Sequence, residues 1–180
     1  MPRYAAFLRG INVGGHRVKS ADLCSHLEAI GFSEVRAFRA SGNLVVDAGR
    51  GSEARLVARI ERGLEEALGY GVATFLRTAE ELWTIARAEP FPAKQLEASR
   101  GKLQVALLSG RPPKRVRDRV LGLATDRDRL AFGARELFWL PSGGTQESEL
   151  DMRAIDAALG SNTMRTKGTL DQMAAKFFDG

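Results

Sequence analysis

The residues best suited to chemistry lie early in the chain, in the stretch FLRGINVGGHRVK (7–19). Arg9 is followed by Gly10, Asn12, Gly14 and Gly15, with Arg17 and Lys19 just beyond. Glycine admits backbone conformations with φ > 0, and successive N–H groups in such a turn form a concavity that attracts anions. With cations beside it, that concavity suits a phosphate or a carboxylate. The competing reading is conformational: the glycines let the chain turn sharply, and Asn12 hydrogen-bonds its own backbone.

Known phosphate motifs do not fit the stretch. Counting from Gly10 gives G-x-x-x-x-G, but His16 and Arg17 stand where a P-loop needs Lys followed by Ser or Thr. The dinucleotide fingerprint G-x-G-x-x-G is absent as well. Support for catalysis is thin, and whether any reaction occurs stays open. His16 and His26 are the only histidines and lack zinc-binding spacing, so no metal or cofactor is expected. Cys24 and His26, two apart on a helix, point in different directions and do not form a nucleophile–base pair.

Composition bounds the remaining classes. The chain has 180 residues, 44% apolar and 27% charged, the profile of a soluble globular protein of one domain or two small halves. Its longest apolar runs, such as VALL and LVV, are too short to span a bilayer, so no membrane partner is expected. The N-terminus lacks a secretory apolar core, and the single cysteine, Cys24, fits a reducing compartment; the expectation is cytoplasmic. A net charge of +5 favours acidic partners. The segment RPPKRVRDR (111–119) would turn Lys114, Arg115 and Arg117 outward if Val116 and Val120 face the core. That face either neutralises phosphates of a nucleic acid or is simply solvated.

The elements that must position these residues follow from periodicity. RYAAFLR (3–9) reads as a buried strand, and Ser20 caps a helix with Leu23, Leu27 and Ile30 inward and Gly31 beyond its end. VRAFRA (35–40) and LVVDA (44–48) flank the turn SGN, Ser41 to Asn43. Ser52 caps a helix with Val57, Ile60, Leu64 and Ala67 on one face, and VATFLR (72–77) returns as a strand. Thr78 and Glu81 have capping-box spacing and open a helix that stops before Pro90. LQVALL (103–108), a helix after Pro113, the pair RLAF and ELFWL, and a helix near 148–159 repeat the order β-α-β-β-α. A last helix aligns Leu170, Met173 and Phe177. The expectation is an α+β fold of two ferredoxin-like halves forming one compact duplicated unit, 1–89 and 90–180, although the two halves share no visible sequence likeness. An RNA-recognition module has the same order, but the third strand, LVVDA, lacks the aromatics that stack bases.

AFLRGINVGG, SGNLVV about thirty residues later, ATFLRTAEEL and EPFP together resemble the bacterial domain-of-unknown-function 1697 family over nearly the whole chain. The resemblance implies a double ferredoxin-like fold and no established activity. It also implies that Arg9, Gly10, Asn12, Gly14, Gly15, Ser41, Gly42 and Asn43 are the motif residues. Near the C-terminus the family usually carries Thr-Arg-Asn-Trp-Asn-Thr. Here TMRTKGT keeps Arg165 and Thr169 but places Thr166, Lys167 and Gly168 where the family has Asn, Trp and Asn, and Glu149 stands where relatives often have lysine.

Two functional readings follow. One is a small anionic ligand held at the Arg9/Gly10–Gly15 loop with Ser41, Asn43 and Arg165. The other is a non-enzymatic interaction protein whose basic surface meets nucleic acid or a protein. The oligomeric state is not legible in the sequence.

Overall fold

A computed structural model describes residues 1–39 and 42–180. Ala40 and Ser41 lie outside the described residues, so the expectation for Ser41 has no structural counterpart here.

The chain divides into two units, Met1–Trp83 with Met173–Gly180, and Thr84–Gln172. The first contains β1 (Arg3–Arg9), α1 (Ser20–Ala29), β2 (Ser33–Ala37), β3 (Asn43–Asp47), α2 (Glu53–Leu68) and β4 (Ala73–Thr78). Its sheet is antiparallel in the order β2-β3-β1-β4, the ferredoxin-like arrangement. Strand alternation sends Ala6, Leu8, Leu44, Val46 and Leu76 to one face, where they pack with Leu23 and Leu27 of α1 and Leu56, Ile60 and Leu64 of α2. Each buried leucine, isoleucine or valine among them contributes about 1.5–3 kcal/mol on leaving water.

α3 (Ala79–Arg87) begins in the first unit and ends in the second. The second unit continues with α4 (Ala93–Ala98), β5 (Gln104–Leu108), α5 (Lys114–Leu121), β6 (Asp128–Phe132), β7 (Glu136–Pro141), a 3₁₀ turn (Thr145–Glu147), α6 (Met152–Leu159) and β8 (Asn162–Thr166). Its sheet order is β6-β7-β5-β8, the same arrangement again. α7 (Lys167–Phe177) begins there and ends in the first unit. The last eight residues, Met173–Gly180, thus cluster with the first unit.

Several local readings change. Lys19, not Ser20, occupies the N-cap of α1 with extended φ and ψ, and its side chain makes no cap hydrogen bond. Leu56 joins the buried face of α2, while Ala67 is exposed. β8 and α4 have no counterpart among the elements that periodicity gives. NTMRT offers no clean alternation, and the six residues of α4 bury no side chain, so neither carries a periodic signal. The capping box is present: Thr78 N donates to Glu81 Oε2 at 2.9 Å, and Glu81 N donates to Thr78 Oγ1 at 3.2 Å.

The registers extend the repeat expected from the order of elements to individual paired positions. Arg77 stands opposite Ala5 on β1, and Arg165 opposite Val105 on β5. Each arginine is followed by a threonine whose Oγ1 accepts the N–H three residues on, from Glu81 at 3.2 Å and from Thr169 at 3.3 Å. Likewise Leu8 N donates to Gly42 O at 2.9 Å, and Leu108 N to Arg135 O at 3.0 Å.

Candidate functional site

The ten residues 10–19 join β1 to α1. Gly10 leaves the strand with φ +85°, and buried Ile11 anchors the loop in the core of its unit. Tyr70, just past the end of α2, donates its hydroxyl to Ile11 O at 2.7 Å. His16 N donates to Val13 O at 3.1 Å, closing a turn whose central residues, Gly14 and Gly15, have φ of +60° and +83°. Two consecutive positive φ values define a mirror-image turn that side chains with a Cβ rarely adopt. The His16 ring stacks on Tyr70 at 4.3 Å, and Asn12 Oδ1 accepts from Val18 N at 3.2 Å.

These three staples leave a cleft of about 570 Å³ lined by Asn12, Gly15, His16, Arg17, Val18 and Lys19. Arg17 and Lys19 are exposed. Two cations and a turn rich in accessible backbone therefore face one hollow, an arrangement suited to a small anion. The Asn12 side-chain oxygen is occupied by the loop's own backbone, which is the conformational role weighed from sequence, although its partner lies six residues on.

The hairpin residues approach the same end of the sheet. Asn43 pairs with Phe7 across β3 and β1 and is 4% exposed, so it belongs to the sheet and not to the cleft lining. Gly42 has φ +72°, and a Cβ there would stand 2.9 Å from Leu8 Cβ and 3.5 Å from Ile11 Cγ1. Glycine is required at this position by both conformation and close packing. Arg9 is the last residue of β1, opposite Ala73, and is exposed.

Arg165 lies on β8 in the second unit. Its Nη1 donates to Thr163 Oγ1 at 2.7 Å and to Met164 O at 2.9 Å, and burial pushes its pKa down to about 10. Its counterpart Arg77 is wholly buried and donates from Nη1 to Leu76 O at 2.8 Å. Sequence reading singled out Arg165 and passed over Arg77. The shared Arg-Thr preceding each helix was the signal available.

The basic segment 111–119 is less free than its composition suggested. Lys114 is paired with Asp118 at 2.5 Å, and Arg117 is half-buried with Nε enclosed, so it does not project outward as expected. Among the described residues no group of three or more His, Cys, Asp or Glu is placed to hold a metal ion. Burial, then Glu28, raises the pKa of the Cys24 thiol, which disfavours the reactive thiolate. No described helix is long and apolar enough to cross a membrane.

A family described as "Protein of unknown function (DUF1697)" matches residues 1–138. That span covers the first sheet and ends before the altered segment 163–169. A solved structure described as that of the conserved bacterial protein SP0830 from Streptococcus pneumoniae is similar at 23% identity. The match covers 97% of each chain with a TM-score of 0.76, and likeness at that identity speaks to the fold alone. No curated protein matches the chain significantly.

Proposed function

This chain belongs to the DUF1697 family, and we propose that its β1–α1 loop binds a small phosphate- or carboxylate-bearing ligand. One observation carries the reading. The second unit makes the same strand-to-helix connection with the five residues 109–113, two of them prolines, whereas the first uses the ten residues 10–19. The longer connection exceeds what the fold requires, and it is stapled by Tyr70, His16 and Asn12 instead of hanging loose. Ordered loops longer than their connection demands are where binding residues concentrate. Arg17 and Lys19 supply the charge, Gly15 brings exposed backbone of the turn to the cleft, and Arg9 stands where the loop leaves β1. The Lys114–Asp118 pair weakens the alternative of a polyanion-binding face on α5.

A thermal-shift panel at low salt, covering inorganic phosphate, nucleotides, sugar phosphates and carboxylates, tests this reading. A ligand at 100 times its Kd stabilises by about 2.7 kcal/mol, enough to raise Tm by several degrees. The shift should disappear in Arg17→Gln/Lys19→Gln and persist in Lys114→Glu/Arg115→Glu. Absence of any hit, or a hit that survives the loop variant, defeats the proposal.

A further inference from the structure

The second unit carries α4 and the segment that follows it ahead of β5. That segment is clipped to the end of β7. Ser99 Oγ donates to Pro141 O, Gly101 N donates to Ser99 Oγ at 3.0 Å, and Arg100 N donates to Ser142 O at 3.0 Å. Gly101 sits so close to the strand that a Cβ there would meet Gly143 O at 2.3 Å. The segment is thus held by the short Ser99 hydroxyl and by backbone groups.

Between α4 and the sheet lies a cleft of about 390 Å³. Its floor is Leu140 and Pro141 at the end of β7, and Ala98 forms part of its α4 wall. Lys94, Arg127 and Arg129 surround it, with Asp126 as the one acidic neighbour. Arg127 Nε donates to Ser142 Oγ at 3.2 Å, which steadies its guanidinium at the cleft. Some cations of the chain are held by carboxylates, as in Arg3–Asp47, Lys114–Asp118 and Lys167–Asp171. Among the described residues, Lys94, Arg127 and Arg129 stand in no ion pair.

We propose that this cleft is a second ligand site, taking a small organic anion whose phosphate or carboxylate meets Arg127, Arg129 and Lys94 while its apolar body lies on Leu140 and Pro141. The volume falls within the range of small-molecule sites, and an apolar floor with a few convergent charges is their usual chemistry. A guanidinium fork fits either anion bidentately, so the two head groups are separated by experiment. The site is independent of the β1–α1 loop, since every residue that lines it belongs to the second unit.

Titration of the full chain with phenyl phosphate, benzoate and inorganic phosphate, followed by calorimetry and amide chemical shifts, tests the assignment. At least one aromatic anion should bind about tenfold or more tightly than inorganic phosphate, because only the aromatic ligands bury a ring. Arg127→Gln/Arg129→Gln should weaken that binding by about tenfold or more, as loss of charge-assisted contacts requires. Ala98→Glu, an exposed position, should block the cleft without disturbing the fold, and Asp126→Asn should tighten binding. Arg17→Gln/Lys19→Gln should leave it unchanged, which separates this site from the loop. Inorganic phosphate binding as tightly, shifts confined to residues 10–19, or binding indifferent to both Arg127→Gln/Arg129→Gln and Ala98→Glu would overturn the proposal.

Discussion

The two units use one strand arrangement to different ends. Their sheets have equivalent orders, and the central pairs β1–β3 and β5–β7 match in register down to the carbonyls of Gly42 and Arg135 that accept from Leu8 and Leu108, whereas β2–β3 shifts register between Ser33 and Arg36 and β6–β7 does not. They differ where the fold leaves freedom. The first unit connects β1 to α1 with ten residues where the second uses five between β5 and α5, and the second carries α4 ahead of β5. Each of these segments borders a hollow flanked by cations, at Arg17 and Lys19 in one and at Lys94, Arg127 and Arg129 in the other. The lesson is physical. Positions paired in the sheet are constrained by the ladder and the core, so variation accumulates at the connections, and that is where binding chemistry becomes possible.

The strongest way to break the equivalence lies at the paired arginines. Arg77 is wholly buried, whereas Arg165 is only half-buried. Arg77→Ala should cost about 3–5 kcal/mol in urea unfolding, because it leaves both a large void and unpaired acceptors. Arg165→Ala should cost less, about 1–2 kcal/mol. Equal losses would mean that the two arginines are interchangeable and that their different burial has no energetic weight.

The hairpin position gives a smaller contrast. Gly42→Val should destabilise by about 2–3 kcal/mol, because a β-branched residue is placed at φ +72° and against Leu8. At the equivalent position Arg135→Ala removes a hydrogen bond to Ser109 O and should cost about 1 kcal/mol or less. A tolerated valine would show that the hairpin relaxes and that glycine is not structurally required.

The helix starts give the smallest. Thr78→Ala opens a reciprocal capping box and should cost about 1–2 kcal/mol, while Thr166→Ala loses a one-sided cap, with an expected cost of about 1 kcal/mol or less. Thermal unfolding of the two variants side by side would resolve the difference. A reversed order would assign the greater importance to the contact between Thr166 Oγ1 and Thr169 Oγ1.

Much of the fold was legible because its signals are local. A strand such as RYAAFLR, the cap at Ser52, the box at Thr78 and Glu81, and the glycines 14 and 15 announce themselves through neighbours a few residues away. The candidate loop was visible for the same reason, as glycines and cations packed into one short stretch. Its staples were not. Tyr70 reaches Ile11 across 59 residues, and no local pattern encodes that hydroxyl. β8 is a strand because β5 offers it five paired positions, not because NTMRT alternates. The repeat was legible in the order of elements and not in residue identity, because only a few paired positions, such as Arg-Thr before each helix, are the same in both halves.

The sequence by itself therefore determined the class of fold, the order of most elements and the gathering of glycines and cations into one loop. Periodicity, capping and turn chemistry are properties of adjacent residues. Only the tertiary structure decided that Arg77 is buried, that Asn43 belongs to the sheet, and that Lys94 and Arg129 face the same hollow. These are long-range facts, set by strand register and by which surfaces leave water together, and no short window of sequence contains them.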